Sequence, residues 1–141
     1  SMNLFFITIN PDPRPILINI SPAHEETAVR VDASFVLTFD KVVYPGNTGY
    51  FFIREQLSTS NFQVFDFSDP LDVSAINGWG TSTISFTTPT PLQRENYEYF
   101  TNYTLIIEGT TIKNDNTMLE EFYPGQNDPL TYYFRTETST S

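Results

Sequence analysis

The chain has 141 residues, no cysteine, a single histidine, and 17 Asp plus Glu against 7 Lys plus Arg, for a formal net charge of −10. That length suits one domain, and the lack of cysteine excludes disulfides, thiolate metal sites and cysteine nucleophiles. The acidic balance argues against nucleic acid and anionic lipid, which both need clustered basic side chains, and any Ser-His-Asp or two-histidine metal site would have to be built around His24 alone. Ser1-Met2 reads as a cloning remnant, so the natural chain is expected to be longer. Leu4, Phe5, Phe6, Ile7 and Ile9 are too apolar for a solvated tail. Asn3 to Ile9 is expected to pair with a sheet edge, on its own domain or a neighbouring copy. Pro11, Pro13 and Pro15 make the connection that follows extended and stiff. Residues 1–14 are therefore set apart from a domain at 15–136 and a polar tail at 137–141.

Within the domain the hydrophobic period is two, as in strands with one face buried. Ile16, Ile18 and Ile20 alternate with Leu17 and Asn19 until Ser21-Pro22. Ala23 to Val29 can form a single turn. Phe35, Leu37 and Phe39 alternate with Val36, Thr38 and Asp40, and Tyr44-Pro45-Gly46-Asn47 breaks the chain after them. Tyr50 to Ile53 is a continuous apolar run. Phe62 to Phe67 is apolar on both faces, so its inward side stays open. Ser68-Asp69-Pro70 and Asn77-Gly78-Trp79-Gly80 bound an irregular stretch. Ile84 and Phe86 form a strand closed by Pro89-Thr90-Pro91. Tyr103, Leu105 and Ile107 form the next, and Tyr103 reads as a tyrosine corner, with its ring in the core and its hydroxyl bonded to backbone upstream. Met118 to Phe122 can form one turn, Tyr123 to Pro129 is a breaker, and Tyr132 and Phe134 mark the last strand. The expected core is Ile16, Ile18, Phe35, Leu37, Phe39, Ile84, Phe86, Tyr103, Leu105, Ile107, Tyr132 and Phe134. Aromatics make up 16% of the chain and suit a pleated, half-buried surface. No apolar run reaches the roughly 18–20 residues of a membrane span.

Several motifs together resemble bacterial Ig-like domains of the SbsA type. Pro15-Ile-Leu-Ile-Asn-Ile-Ser-Pro22-Ala23 is similar to that family's opening, and Ala28-Val-Arg-Val-Asp32 with Ser34 to Val43 to its second segment. Leu92, then Tyr103-Thr-Leu-Ile-Ile-Glu-Gly109, resembles a later strand. Ile112-Lys-Asn-Asp-Asn116 is similar to a turn, and Tyr132-Tyr-Phe134-Arg-Thr136 to the closing strand. The order covers residues 15–136. Leu57 to Thr81 is longer and more aromatic than the family pattern, the glycine of its Gly-Asn turn is missing, and Leu119 to Pro129 looks inserted. The resemblance implies tandem modules of surface or secreted proteins and no particular reaction. The expected fold is all-β: an immunoglobulin-like antiparallel β-sandwich of about seven to eight strands with Greek-key connections.

The expected function is non-enzymatic: a structural spacer or protein-interaction module of a larger, adhesin-like protein at the cell surface or secreted. Its partners would be neighbouring domains or a surface protein. The alternative is a carbohydrate-binding module, in which Trp79, Tyr97 and Tyr99 offer flat rings to sugar faces. Trp79 has a competing role as a plug over one end of the sandwich. Phe100 belongs to the same aromatic cluster as Tyr97 and Tyr99. Asp66, Asp69 and Asp72, and Asn114 to Asn116 with Glu120 and Glu121, invite calcium. Asp69 and Asp115 are its weak candidates, since calcium needs about 6–8 convergent oxygens and Asp, Asn and Pro populate turns for local reasons. No cofactor is therefore expected. Asn19-Ile20-Ser21 and Asn102-Tyr103-Thr104 are glycosylation sequons.

Overall fold

In the computed structural model, residues 14–59, 61–87, 98–115 and 120–138 are described. Their elements in order are β1 Leu17–Ser21, β2 Ser34–Phe39, β3 Tyr44–Pro45, β4 Tyr50–Glu55, β5 Asn61–Asp66, α1 Pro70–Ser74, β6 Thr83–Thr87, β7 Asn102–Ile107, β8 Ile112–Lys113 and β9 Phe134–Arg135. The chain is mostly β, as its period-two pattern predicts. Three sheets form: β1-β2-β6, the small pair β3-β8, and β5-β4-β7-β9. Every pairing between these strands is antiparallel. No helix among the described residues is long and apolar enough to cross a membrane. The expected strand at Asn3 to Ile9 lies outside the described residues, as do Tyr97 and Leu92.

The two larger sheets share one core. Phe86 of β6 stacks on Phe35 of β2 at 5.1 Å between centroids. It also meets Phe51 of β4 at 5.4 Å and Phe65 of β5 at 5.1 Å across the layers. Phe35 meets Phe134 of β9 edge-on at 5.7 Å. Such offset and edge-to-face pairs add about 0.5–1.5 kcal/mol each beyond the area they bury. Phe35, Leu37, Phe39, Ile84, Phe86, Tyr103, Leu105, Ile107, Tyr132 and Phe134 are all buried, as the alternation requires.

Two segments that the sequence left open now have a direction. In β4, Phe51 and Ile53 point inward, and in β5 Gln63 and Phe65 do. The outward Phe52 stacks against Tyr50 at 5.4 Å, and the Arg54 guanidinium lies 4.9 Å over its ring.

The first strand corrects the expected core. Ile16 and Ile18 are 46% and 61% exposed. The cause is a register shift between Leu17 and Asn19 in the pairing with β2. An extra residue at a bulge breaks the period of two. Leu17 opposite Phe39 and Ile20 opposite Leu37 then pack on the core, and Ile16 and Ile18 do not.

A short helix, α1, occupies part of the stretch expected to be irregular. Asp69 caps it, its carboxylate accepting from the Leu71 N–H at 2.9 Å, and Pro70 follows at the first helical position. Pro is pre-set for that position and its missing N–H costs nothing there.

Two buried polar side chains of the four-stranded sheet contrast. The Thr104 hydroxyl donates to the Tyr132 carbonyl at 2.6 Å. Gln63, 1% exposed, has no hydrogen-bond partner among the described residues for either its amide nitrogen or its oxygen. An unpaired buried polar group costs about 1–3 kcal/mol. Gln63→Met keeps the length and removes the amide, so it is expected to raise stability by about 1–3 kcal/mol. Urea midpoints check this, and a loss of stability would show that the amide is paired in solution.

The described residues begin and finish at opposite ends of the molecule. Ile16 exchanges hydrogen bonds with Asp40, its carbonyl accepting from the Asp40 N–H and its N–H donating to the carboxylate. Its neighbour Leu17 faces Phe39, whose ring contacts Tyr123, beside the outgoing end of β7. After β9, Thr136 and Glu137 instead bond Thr101 and Phe100, at the start of β7. The proximal and distal ends are thus one strand apart, about 17 Å for the six residues of β7 at roughly 3.4 Å per step. The last segment also runs parallel to residues 25–29. Glu25 N–H donates to Tyr133 O at 2.7 Å, Arg135 N–H to Glu26 O at 2.8 Å, Val29 N–H to Arg135 O at 3.1 Å and Glu137 N–H to Val29 O at 2.8 Å.

Candidate functional site

The distal end holds the most chemically distinctive group of side chains. The turn before β7 is tied down from three directions. The Tyr103 hydroxyl, in a fully buried ring, accepts from the Glu98 N–H at 2.9 Å. Burial pushes the Tyr103 hydroxyl pKa up, so it stays a neutral phenol. The Thr136 hydroxyl donates to Glu98 O at 2.6 Å and accepts from Thr101 N–H at 2.9 Å. Phe100 N–H donates to Glu137 O at 2.8 Å.

These ties hold Phe100 at φ 48°, in the left-handed region. A bulky residue there is strained, by about 1–2 kcal/mol on general grounds. Its ring is 60% exposed, and beside it Tyr99 is 43% exposed. The Arg135 guanidinium lies over the Phe100 ring at 4.8 Å.

Arg135 is oriented by a chain of amides. Its Nε donates to Asn102 Oδ1 at 2.9 Å. Asn102 Nδ2 donates to Gln56 Oε1 at 3.0 Å, and Gln56 Nε2 donates to the Pro129 carbonyl at 3.1 Å. The polarity of this relay is fixed at both ends, because a guanidinium can only donate and a carbonyl can only accept. Two grooves meet at the Phe100–Arg135 pair. One is bounded by Gln56, Leu57, Ser58 and Thr101, the other by Thr27, Ala28, Thr136 and Glu137.

The sequence-derived candidates fall in different places. Tyr99 belongs to this distal group, and Tyr97 lies outside the described residues. Trp79 is half-buried at the proximal end, edge-on to Phe67 at 5.9 Å, with its indole N–H donating to the Val73 carbonyl at 3.2 Å. It is not brought together with Tyr99. Arg135, Asn102 and Gln56 were missed as site residues. The one local signal was that Tyr132 and Phe134 alternate inward and so aim Arg135 outward. Its pairing with Asn102 bridges 33 residues, which no local pattern reveals.

The acidic loops are used by the backbone. Asp66 accepts from Ser68 Oγ and N–H at 2.7 and 2.9 Å, and these bonds hold its carboxyl below the ordinary range. Asp69 caps α1, and Asp72 accepts from the Asp66 N–H at 2.8 Å. Asp115 is exposed. Among the described residues no group of three or more His, Asp or Glu is placed to hold a metal. Thermal melts in EDTA and in millimolar calcium are expected to coincide. A native-state metal at a hundredfold excess over Kd would add about 2.7 kcal/mol, so a rise of several degrees lost in Asp69→Asn or Asp115→Asn would contradict this.

His24 joins the turn after β1 to the segment that leads into β9. Its Nδ1 accepts from the Tyr133 N–H at 3.2 Å and its ring stands edge-on to Tyr133 at 4.9 Å. Of the sequons, Asn19 is exposed on β1, whereas the Asn102 amide is engaged by Gln56 and Arg135. No family model matches the chain, and neither a curated protein nor a solved structure matches it.

Proposed function

We propose that the chain is a non-enzymatic Ig-like module, acting as a structural spacer or protein-interaction domain in a larger cell-surface or secreted, adhesin-like protein. The observation that carries this reading is the placement of residues 14 and 138. Residues 14 and 138 leave from opposite poles, so copies or neighbours in one chain would align end to end. The strand orders β1-β2-β6 and β5-β4-β7-β9, closed on one core, support an Ig-like sandwich with Greek-key connections, as does the Tyr103 bond to Glu98. The parallel bonds between residues 25–29 and 133–137 suit a load-bearing role, since a pull along the molecule's axis strains them together rather than one at a time.

A tandem fusion of two copies, joined through residues 10–16, tests the reading by small-angle X-ray scattering. The maximum dimension is expected to come close to doubling from one copy to two. A folded-back pair with nearly the single-copy dimension would contradict it. The second reading, a carbohydrate-binding module, draws on the exposed rings of Tyr99 and Phe100 at the distal end.

A further inference from the structure

We infer that the distal pair Phe100–Arg135 is a binding site for a saccharide carrying a single carboxylate, such as a uronic or sialic acid residue. This rests on the second reading above and gives it a ligand class and a location. Three independent features converge there.

The first is charge. Arg30, Lys41 and Lys113 each pair with a carboxylate. Arg135 pairs with none among the described residues, although the chain carries a net charge of −10. Its Nε is used by Asn102, which leaves the two terminal nitrogens to meet a ligand. That edge of a guanidinium matches the two oxygens of a carboxylate.

The second is orientation. A surface arginine is normally a mobile side chain that loses rotamer freedom on binding. Here stacking on Phe100 and the Asn102–Gln56–Pro129 relay hold it beforehand, which lowers that cost.

The third is the ring. Phe100 holds a left-handed backbone with its side chain exposed. Glycine would fill that position without strain, so the turn alone does not call for a phenyl group. Phe100, Tyr99 and the 83%-exposed Leu57 offer an apolar surface to a sugar face, with Ser58, Thr101 and Gln56 on the groove wall to meet hydroxyls. Glu55 and Glu137 flank the two grooves and disfavour polyanions, which is why one carboxylate is specified.

The test is protein-observed NMR with glucuronic acid and N-acetylneuraminic acid as probes, against glucose, a sulfated oligosaccharide and an acetylated peptide with a free C-terminal carboxylate. Saturable shifts at the Arg135 Nε–H and at the Phe100 and Asn102 amides, with an acidic sugar binding at least tenfold more tightly than glucose, are expected. Arg135→Gln should abolish that preference. Phe100→Gly should lose binding yet melt at or above the wild-type temperature, which separates a ligand role from a structural one. No shift at millimolar acidic sugar, equal shifts with glucose, tighter binding of the sulfated probe or the peptide, or a clear drop in the Phe100→Gly melt would each overturn the proposal. Failure here leaves the scattering result untouched, so the spacer reading stands or falls separately.

Discussion

Phe39→Ala and Leu105→Ala are each expected to lower stability by about 2–5 kcal/mol. Leu105 is fully buried in the centre of β7, between β4 and Gln126, whose amide donates to its carbonyl, and Phe39 closes β2 with its ring on Tyr123 at 5.5 Å. Neither site can collapse easily. Leu105 is held by backbone pairing with Ile53, and Phe39 by strands on both sides, opposite Leu17 in β1 and with its N–H on the Ser82 carbonyl leading into β6. A cavity left there keeps its walls, and the lost contacts are not recovered. Urea denaturation with unchanged m values checks this. Losses below about 0.5 kcal/mol, the range of ordinary surface substitutions, would mean that the inward faces are assigned wrongly.

Gly78→Ala is expected to be among the most damaging single-methyl additions in the chain. Gly78 has φ 100°, and an added Cβ would lie 2.1 Å from the Thr83 carbonyl oxygen. It sits next to the Asn77–Ser85 bridge, whose two backbone bonds measure 2.8 and 2.9 Å. The neighbouring Gly80 is the control. Its φ is 87°, but its added Cβ would meet only the Tyr44 ring at 3.8 Å. Gly80→Ala should therefore cost only the left-handed backbone penalty, about 1–2 kcal/mol. Gly78→Ala adds a backbone displacement that typically costs a further 1–3 kcal/mol or so. Equal midpoints for the two variants would show that the turn relaxes around the new methyl.

The strands with strict alternation were legible because one buried face repeats every two residues. Phe35, Leu37 and Phe39 or Ile84 and Phe86 could be oriented without knowing their partners. β1 was not, because its bulge is a property of the pairing with β2 and leaves no mark in Leu-Ile-Asn-Ile-Ser. The direction of β5 was hidden for a different reason. Phe62 packs on the core beside the inward Gln63, Phe65 and Phe67, so apolarity stops marking a face there. Helix α1 has five residues, too few for a helical stripe, although Ser68-Asp69-Pro70 supplied its cap and first residue.

The distal site was half visible. Tyr99 and Phe100 stand out as aromatics before a strand. What fixes their chemistry comes from far along the chain: Arg135 from β9, and Gln56 from the end of β4. The backbone strain at Phe100 depends on ties to Glu137 and, through Tyr103, to Glu98, and no residue type announces it. Trp79, the most conspicuous single residue, is carried back against Phe67 by the Gly78-to-Thr81 turn, where Thr81 N–H donates to Gly78 O at 3.0 Å.

The spacer reading makes its most direct claim about mechanical geometry. Single-molecule pulling with handles at residues 14 and 138 loads the parallel bonds of residues 25–29 and 133–137 together. Pulling with handles at residues 58 and 138, both at the distal end, opens the sheet from one side. The unfolding force is expected to be clearly higher for the first pair than for the second. Equal forces, or a weaker response between the two poles, would contradict a module built to carry tension along its length.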